Sequence, residues 1–232
     1  MSANRGRIVL LISGRGSNME AFIRAVGDGT LDADIAGVIA NRPDAPGIQT
    51  AAGHGLHTAI VDHKQFSSRE AFDIELARTV QALEPDLVVL AGFMRILTPL
   101  FVDQFAGRLL NIHPSLLPKY PGLNTHQRAI DSGDTEAGAT VHYVTTELDG
   151  GPAILQARVP IESGDSADSL AQRILPLEHR IYPAAAQLHL SGELRLIHGR
   201  CVLGEQVLPT EGLSWPIENA TTAALLELPG LP

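Results

Sequence analysis

Apolar positions in the first half of the chain alternate between two patterns. Short, wholly apolar runs are followed by stretches in which apolar residues recur every three or four positions. Residues 8–12 form the first such run, bounded by Gly14, and read as a strand buried on both faces. Residues 17–26 then have helical character, with Ser17 or Asn18 available to cap them. Strands are predicted over 34–40 and 56–61, with a short helix over 45–52 between them. Ser67 and Glu70 have the spacing of a capping box, and Phe72, Leu76, Val80 and Leu83 follow at helical spacing. Pro85 ends that helix, and residues 87–90 and 108–112 supply the fourth and fifth strands. Strands separated by helices of this length make βαβ units and a parallel sheet.

The second half differs. Residues 139–145 and 153–160 are strand-like and lie close together around Asp149-Gly150-Gly151-Pro152, a spacing that favours an antiparallel hairpin. A helix is expected over 165–190, kinked or broken at Pro176 and Pro183. Residues 193–207 alternate like a small terminal hairpin. The stretch after Cys201 holds four Glu and no Lys or Arg, with Pro209, Pro216, Pro229 and Pro232. The expected organisation is one α/β domain over 1–207 and a peripheral, partly disordered tail over 208–232.

Composition narrows the class. The 232 residues carry 17 Lys+Arg against 26 Asp+Glu, a net charge of −9, and 44% are hydrophobic, which is ample for a core. That balance argues against a non-specific nucleic-acid or anionic-membrane binder. One cysteine, Cys201, allows neither a disulfide framework nor a Cys-rich zinc site. No apolar run approaches the roughly 20 residues of a membrane span. Residues 8–12 are too short for the apolar region of a signal peptide. A cytoplasmic protein, monomeric or homodimeric, is expected.

Candidate chemistry lies in three places. Ser13-Gly14-Arg15-Gly16-Ser17-Asn18 sits between the first strand and helix. Free amides at a helix start, together with the helix dipole, bind anions whatever the net charge. The loop has neither the Lys of a P-loop nor the third Gly of a dinucleotide fingerprint, where Met19 stands. By itself it reads equally as a phosphate site or as a tight turn with no ligand. Second, Asn111 and His113 fall on one side of the fifth strand, at the carboxyl end where α/β proteins place ligands. An amide donor and a titratable imidazole converging on one point could hold a developing oxyanion. Third, a carboxylate such as Asp149, if brought near His113, would favour the charged imidazole. Sequence spacing alone leaves His113 a strand-end histidine and Asp149 a turn residue. His142 enters the Asp149 turn and could border the same site. His54 and His57 lack the spacing and partners of a zinc site.

Taken together, Ser13–Asn18, Asn111-Ile112-His113-Pro114-Ser115-Leu116-Leu117-Pro118 and Leu148-Asp149-Gly150-Gly151-Pro152 resemble the folate-dependent formyltransferases. Further matches are 90–97, 119–122 and 178–183, so the resemblance spans about 8–207. It implies a Rossmann-like formyltransferase fold: a mainly parallel sheet in the N-terminal half, an antiparallel C-terminal portion, and helices on both faces. Within the family, the Ser-Gly-x-Gly-Ser-Asn loop points to the branch that uses a ribonucleotide. The implied reaction moves the formyl group of 10-formyltetrahydrofolate to the amino group of glycinamide ribonucleotide, without a metal. The resemblance makes Asn111, His113 and Asp149 the catalytic trio. Gly16, Ser17 and Asn18 would take the substrate phosphate, and Glu178 the ribose hydroxyls or the glycinamide end. Arg69, Met94, Arg95, Ile96 and Leu97, together with Asn111, would take the folate. It also implies a cis bond at Leu117–Pro118, and departs from some relatives in having Asn124 where they carry His.

A formyltetrahydrofolate deformylase shares the trio but carries an N-terminal regulatory domain, which is not expected ahead of Ile8. Methionyl-tRNA formyltransferase needs a C-terminal RNA-binding domain and a basic surface, against a short acidic tail here. A non-catalytic nucleotide-binding protein on the same fold is opposed by the intact trio.

Overall fold

The structure, a computed structural model, describes residues 5–216. In chain order it begins with β1 (Gly6–Ile12), α1 (Ser17–Gly27), β2 (Ala33–Ala40), α2 (Pro46–Gly53) and β3 (Thr58–Ile60). A short 3-10 turn, His63–Gln65, leads to α3 (Arg69–Gln81), β4 (Leu87–Leu90), α4 (Pro99–Gln104), β5 (Leu109–His113) and α5 (Thr125–Asp131). The chain continues through β6 (Glu136–Tyr143), β7 (Ala153–Pro160) and α6 (Ala167–Leu190). It ends with β8 (Leu194–Ile197), β9 (Arg200–Leu203), β10 (Gln206–Val207) and β11 (Leu213–Trp215).

Five consecutive apolar residues can be buried together only if both faces of their strand are covered, and β1 meets that condition. Ile8, Leu10 and Ile12 pack with Met19 and Phe22 of α1 and with the inner face of α6. Val9 and Leu11 point the other way, onto Phe72, Leu76 and Val80 of α3, Phe101 of α4 and Phe105 just after it. The sheet has eight strands in the order β11-β7-β6-β5-β4-β1-β2-β3. β3, β2, β1, β4 and β5 run parallel, whereas β5–β6 and β6–β7 are antiparallel. The carboxyl ends of β1, β4 and β5 therefore open side by side. A separate three-stranded sheet has the order β10-β9-β8.

The elements depart from expectation at identifiable points. Neither Ser17 nor Asn18 caps α1: Gly16 does, at φ 78°, with no side-chain cap bond. A glycine takes that left-handed turn without strain, and Ser17 is already inside the helix. The box at Ser67–Glu70 is replaced by Ser68, whose Oγ accepts from the Ala71 amide one residue later. Pro176 and Pro183 do not break α6, which runs through both for 24 residues. Its buried face, from Leu170 through Ile174 and Ile181 to Leu188, outweighs an interior-proline penalty of about 3 kcal/mol at each site. The terminal hairpin is a three-stranded meander. Of the stretch read as a tail, Leu208 is buried and β11 pairs in parallel with β7, so 208–216 belong to the folded body. Residues 217–232 lie outside those described. Helices α4 and α5 carried too few apolar repeats to stand out in the sequence.

Candidate active site

The strand ends are tied to one another before any ligand is considered. The Met94 amide donates to Ser13 Oγ, and the Ser13 amide to the Gly92 carbonyl, joining the Gly-rich loop to the 91–95 segment after β4. Helix α6 is pinned above them by Tyr182, whose hydroxyl lies 3.0 Å from the Leu110 carbonyl and 3.2 Å from that of Leu90. Phe22 of α1 meets the Tyr182 ring edge to face at 5.1 Å. One helical turn earlier on each helix stand Asn18 and Glu178, and the Asn18 amide donates to Glu178 Oε2 at 3.1 Å. Burial pushes the Glu178 carboxyl above its ordinary range, and the Asn18 bond opposes that shift only in part. Beside them, a cavity of about 650 Å³ is lined by Gly16, Ser17, Asn18, Arg95 and Met94. The start of α1, free of any side-chain cap, faces ligand space.

The predicted trio comes together at the end of β5. Register places Asn111 opposite His142 and His113 opposite Thr140 on β6. The turn that follows β6 returns Asp149 to this point, at φ 52°. His113 Nδ1 lies 3.4 Å from Asp149 Oδ2, and both side chains are more than nine-tenths buried. Its other nitrogen, Nε2, donates to the Tyr120 carbonyl at 2.9 Å. Both nitrogens thus face acceptors, an environment an imidazolium satisfies with its two N–H donors. Asp149 Oδ2 also accepts from the Gly122 amide at 2.9 Å. Asn111 Nδ2 lies 3.2 Å from His142 Nε2, which in turn is 4.0 Å from Asp149 Oδ1.

The expected folate residues are arranged less uniformly. Met94 and Ile96 are 73% and 58% exposed, so they are not core residues at a strand end. Arg69 donates to the Ile96 carbonyl at 2.6 Å, and Arg95 stacks 4.8 Å above the Phe72 ring. Both arginines hold the 94–97 segment, with Leu97 packed beneath it. The Leu117–Pro118 bond is cis.

The family described as formyl transferase matches residues 6–186. The chain belongs to the formyl transferase family. It is 49% identical over 205 residues to the phosphoribosylglycinamide formyltransferase of Escherichia coli, covering 88% of this chain and 97% of that protein. The enzyme of the same name from Haemophilus influenzae is 46% identical over 89% of this chain and 97% of its own. A solved phosphoribosylglycinamide formyltransferase from Coxiella burnetii superposes with a TM-score of 0.88 at 45% identity, over 92% of this chain and all of that one.

Several residues of this formyl transferase escaped the sequence. Arg42, Asn41 and His63 also line the cavity beside the Gly-rich loop. Arg42 follows β2, on a strand end with no motif of its own. Thr140 and Gln156 hold the exit from β5. Gln156 Nε2 donates to the Leu117 carbonyl at 2.7 Å and to Thr140 Oγ1 at 3.0 Å, and Thr140 donates to Ser115 at 2.7 Å. Buried Thr and Gln on an apolar strand were the available signal. Among the described residues no group of His, Cys, Asp and Glu could hold a metal ion, and no helix is long and apolar enough to cross a membrane.

Proposed function

We propose that this chain transfers the formyl group of 10-formyltetrahydrofolate to the amino group of glycinamide ribonucleotide, giving formylglycinamide ribonucleotide in purine synthesis. The observation that carries the reading is a cluster at the end of β5 in which buried His113 and Asp149 lie 3.4 Å apart and Asn111 reaches His142, beside a helix start whose Asn18 is paired with Glu178. The names of its relatives support the same reaction.

The substrate amine attacks the formyl carbon and a C–N bond forms. The carbonyl oxygen becomes an oxyanion, received by Asn111 Nδ2 and by His113 Nε2 once the formyl oxygen takes the place of the Tyr120 carbonyl. Charged or preorganised donors are stronger in such a water-poor site than in solution. Asp149 balances the imidazolium through Nδ1. The bond from carbon to N10 of the folate then breaks. The proton lost by the attacking amine passes by water, with Asp149 as relay, to N10. Gly16, Ser17 and Asn18 receive the phosphate, and Glu178 accepts from ribose hydroxyls or the glycinamide end. The exposed Met94 and Ile96 and the 94–97 backbone receive the pterin, with Arg69 and Arg95 serving the glutamate carboxylates. The reading needs no metal, nucleic acid or membrane, and sets the enzyme in the cytoplasm.

The test supplies formyl folate with and without glycinamide ribonucleotide while folate absorbance is followed. Turnover only with the ribonucleotide is expected. Formate release without it would identify a deformylase, and no turnover in either case a binding protein.

A further inference from the structure

The acceptor that Asn111 meets is itself chemically constrained. His142 is 2% exposed, and its Nδ1 lies 2.9 Å from the Tyr143 carbonyl. A carbonyl only accepts, so the proton sits on Nδ1. In the neutral ring, Nε2 then carries a lone pair. Four groups face this ring: the Tyr143 carbonyl on its own strand, Asn111 from β5, Asp149 from the β6–β7 turn, and His113 beyond it. Burial pushes its pKa below the ordinary histidine value, which favours the neutral form.

An asparagine amide can present either end to a neighbour, and the two ends do opposite chemistry. Against a lone pair at 3.2 Å only Nδ2 is attractive; Oδ1 there would set two acceptors against each other. We propose that His142 is a positioning residue: its neutral, Nδ1-protonated imidazole fixes the amide of Asn111 so that Nδ2, with its second hydrogen, is kept for the reacting carbonyl. The inference rests on the role given to Asn111 above. With the wrong amide end forward, Asn111 would repel the developing oxyanion instead of receiving it.

The first test needs no turnover. Nitrogen-15 NMR of the wild-type imidazoles at neutral pH should find His142 protonated at Nδ1 and bare at Nε2. A proton on Nε2 would overturn the proposal even if the transferase reaction is observed. The second test is kinetic. His142→Leu should lower kcat by about tenfold to a hundredfold, less than the 10²–10³ typical of losing a whole oxyanion donor, with KM for the ribonucleotide unchanged. His142→Gln offers an acceptor oxygen where Nε2 stood and should recover most of that loss. In an Asn111→Ala background, His142→Leu should cost nothing further, whereas a merely structural residue would cost the same in both backgrounds. Should His142→Leu fail to fold, His142→Gln and the wild-type tautomer still decide. An inactive wild type with the expected tautomer would count against the transferase reading, not against the placement of the amide.

Discussion

Asn18 and Glu178 are joined by a hydrogen bond between residues 160 apart in sequence. The bond forms because Phe22 and Tyr182, one turn along their helices, set α1 against α6. It places a buried carboxylate beside the helix start, with no ion pair to a cation among the described residues.

Glu178→Gln separates stability from binding. The folded-state pKa of Glu178 is raised, so its effect favours the folded state below the unfolded pKa and is lost as pH rises through the folded one. At neutral pH the neutral amide should therefore stabilise the unliganded protein. The expected rise in Tm is about 2–4 °C, what roughly 1 kcal/mol yields in a chain of this size. That gain over wild type should vanish in acid. KM for the ribonucleotide should rise about tenfold or more, as expected when a hydrogen bond to a charged group is lost. Melting curves across pH, with initial-rate kinetics at neutral pH, measure both.

His113→Ala should reduce kcat by about 10²–10³ or more while leaving ribonucleotide affinity near that of wild type, because the proposed phosphate and ribose contacts lie at the start of α1 and at Glu178, not at His113. Calorimetric titration beside single-turnover kinetics tests the split. Equal losses in affinity and rate would take His113 out of the chemical step.

Gly151→Ala probes how Asp149 is placed. A Cβ at Gly151 would stand 1.8 Å from the Tyr143 carbonyl oxygen, on backbone that cannot turn aside. The β6–β7 turn must shift, taking Asp149 away from His113. A loss of about 1–3 kcal/mol in urea unfolding is expected, as for overpacked sites. The fall in kcat should be larger than that destabilisation explains at the assay temperature.

Gln156→Leu should remove the donor that Leu117 O and Thr140 share, leaving a buried carbonyl unpaired at a cost of about 1–3 kcal/mol. Gln156→Glu keeps the shape but presents an acceptor to the same carbonyl, and should destabilise as well. Denaturant midpoints at equal slope would verify this; a stability unchanged in both variants would mean that another donor takes over.

How much of this could be read from the chain depends on the range of the forces involved. The β1 run and the 87–90 run are wholly apolar, and local patterning alone makes them buried strands. Asn111 and His113 share a side of β5 because a strand repeats every two residues. Neighbourhoods made by tertiary packing were not legible in that way. Nothing in the spacing of His113 and Asp149 brings them together; the β5–β6–β7 antiparallel return does. Arg42 and Asn41 reach the cavity because β2 ends next to β1, a topological fact. The α6 prolines do not break the helix, because their local cost is real but smaller than the burial of the helix face. Ser68 displaced Ser67 as a cap by one residue, a distance below what a capping pattern resolves.

The place of β11 has a consequence for how the molecule keeps to itself in a crowded solution. It covers the outer rim of β7, the strand that carries Gln156. An unpaired strand rim is a template onto which another chain can add. Cutting the chain after Val207 would leave the catalytic motifs in place and strip that guard, so a shortened protein would be expected to lose colloidal solubility before it loses its chemistry.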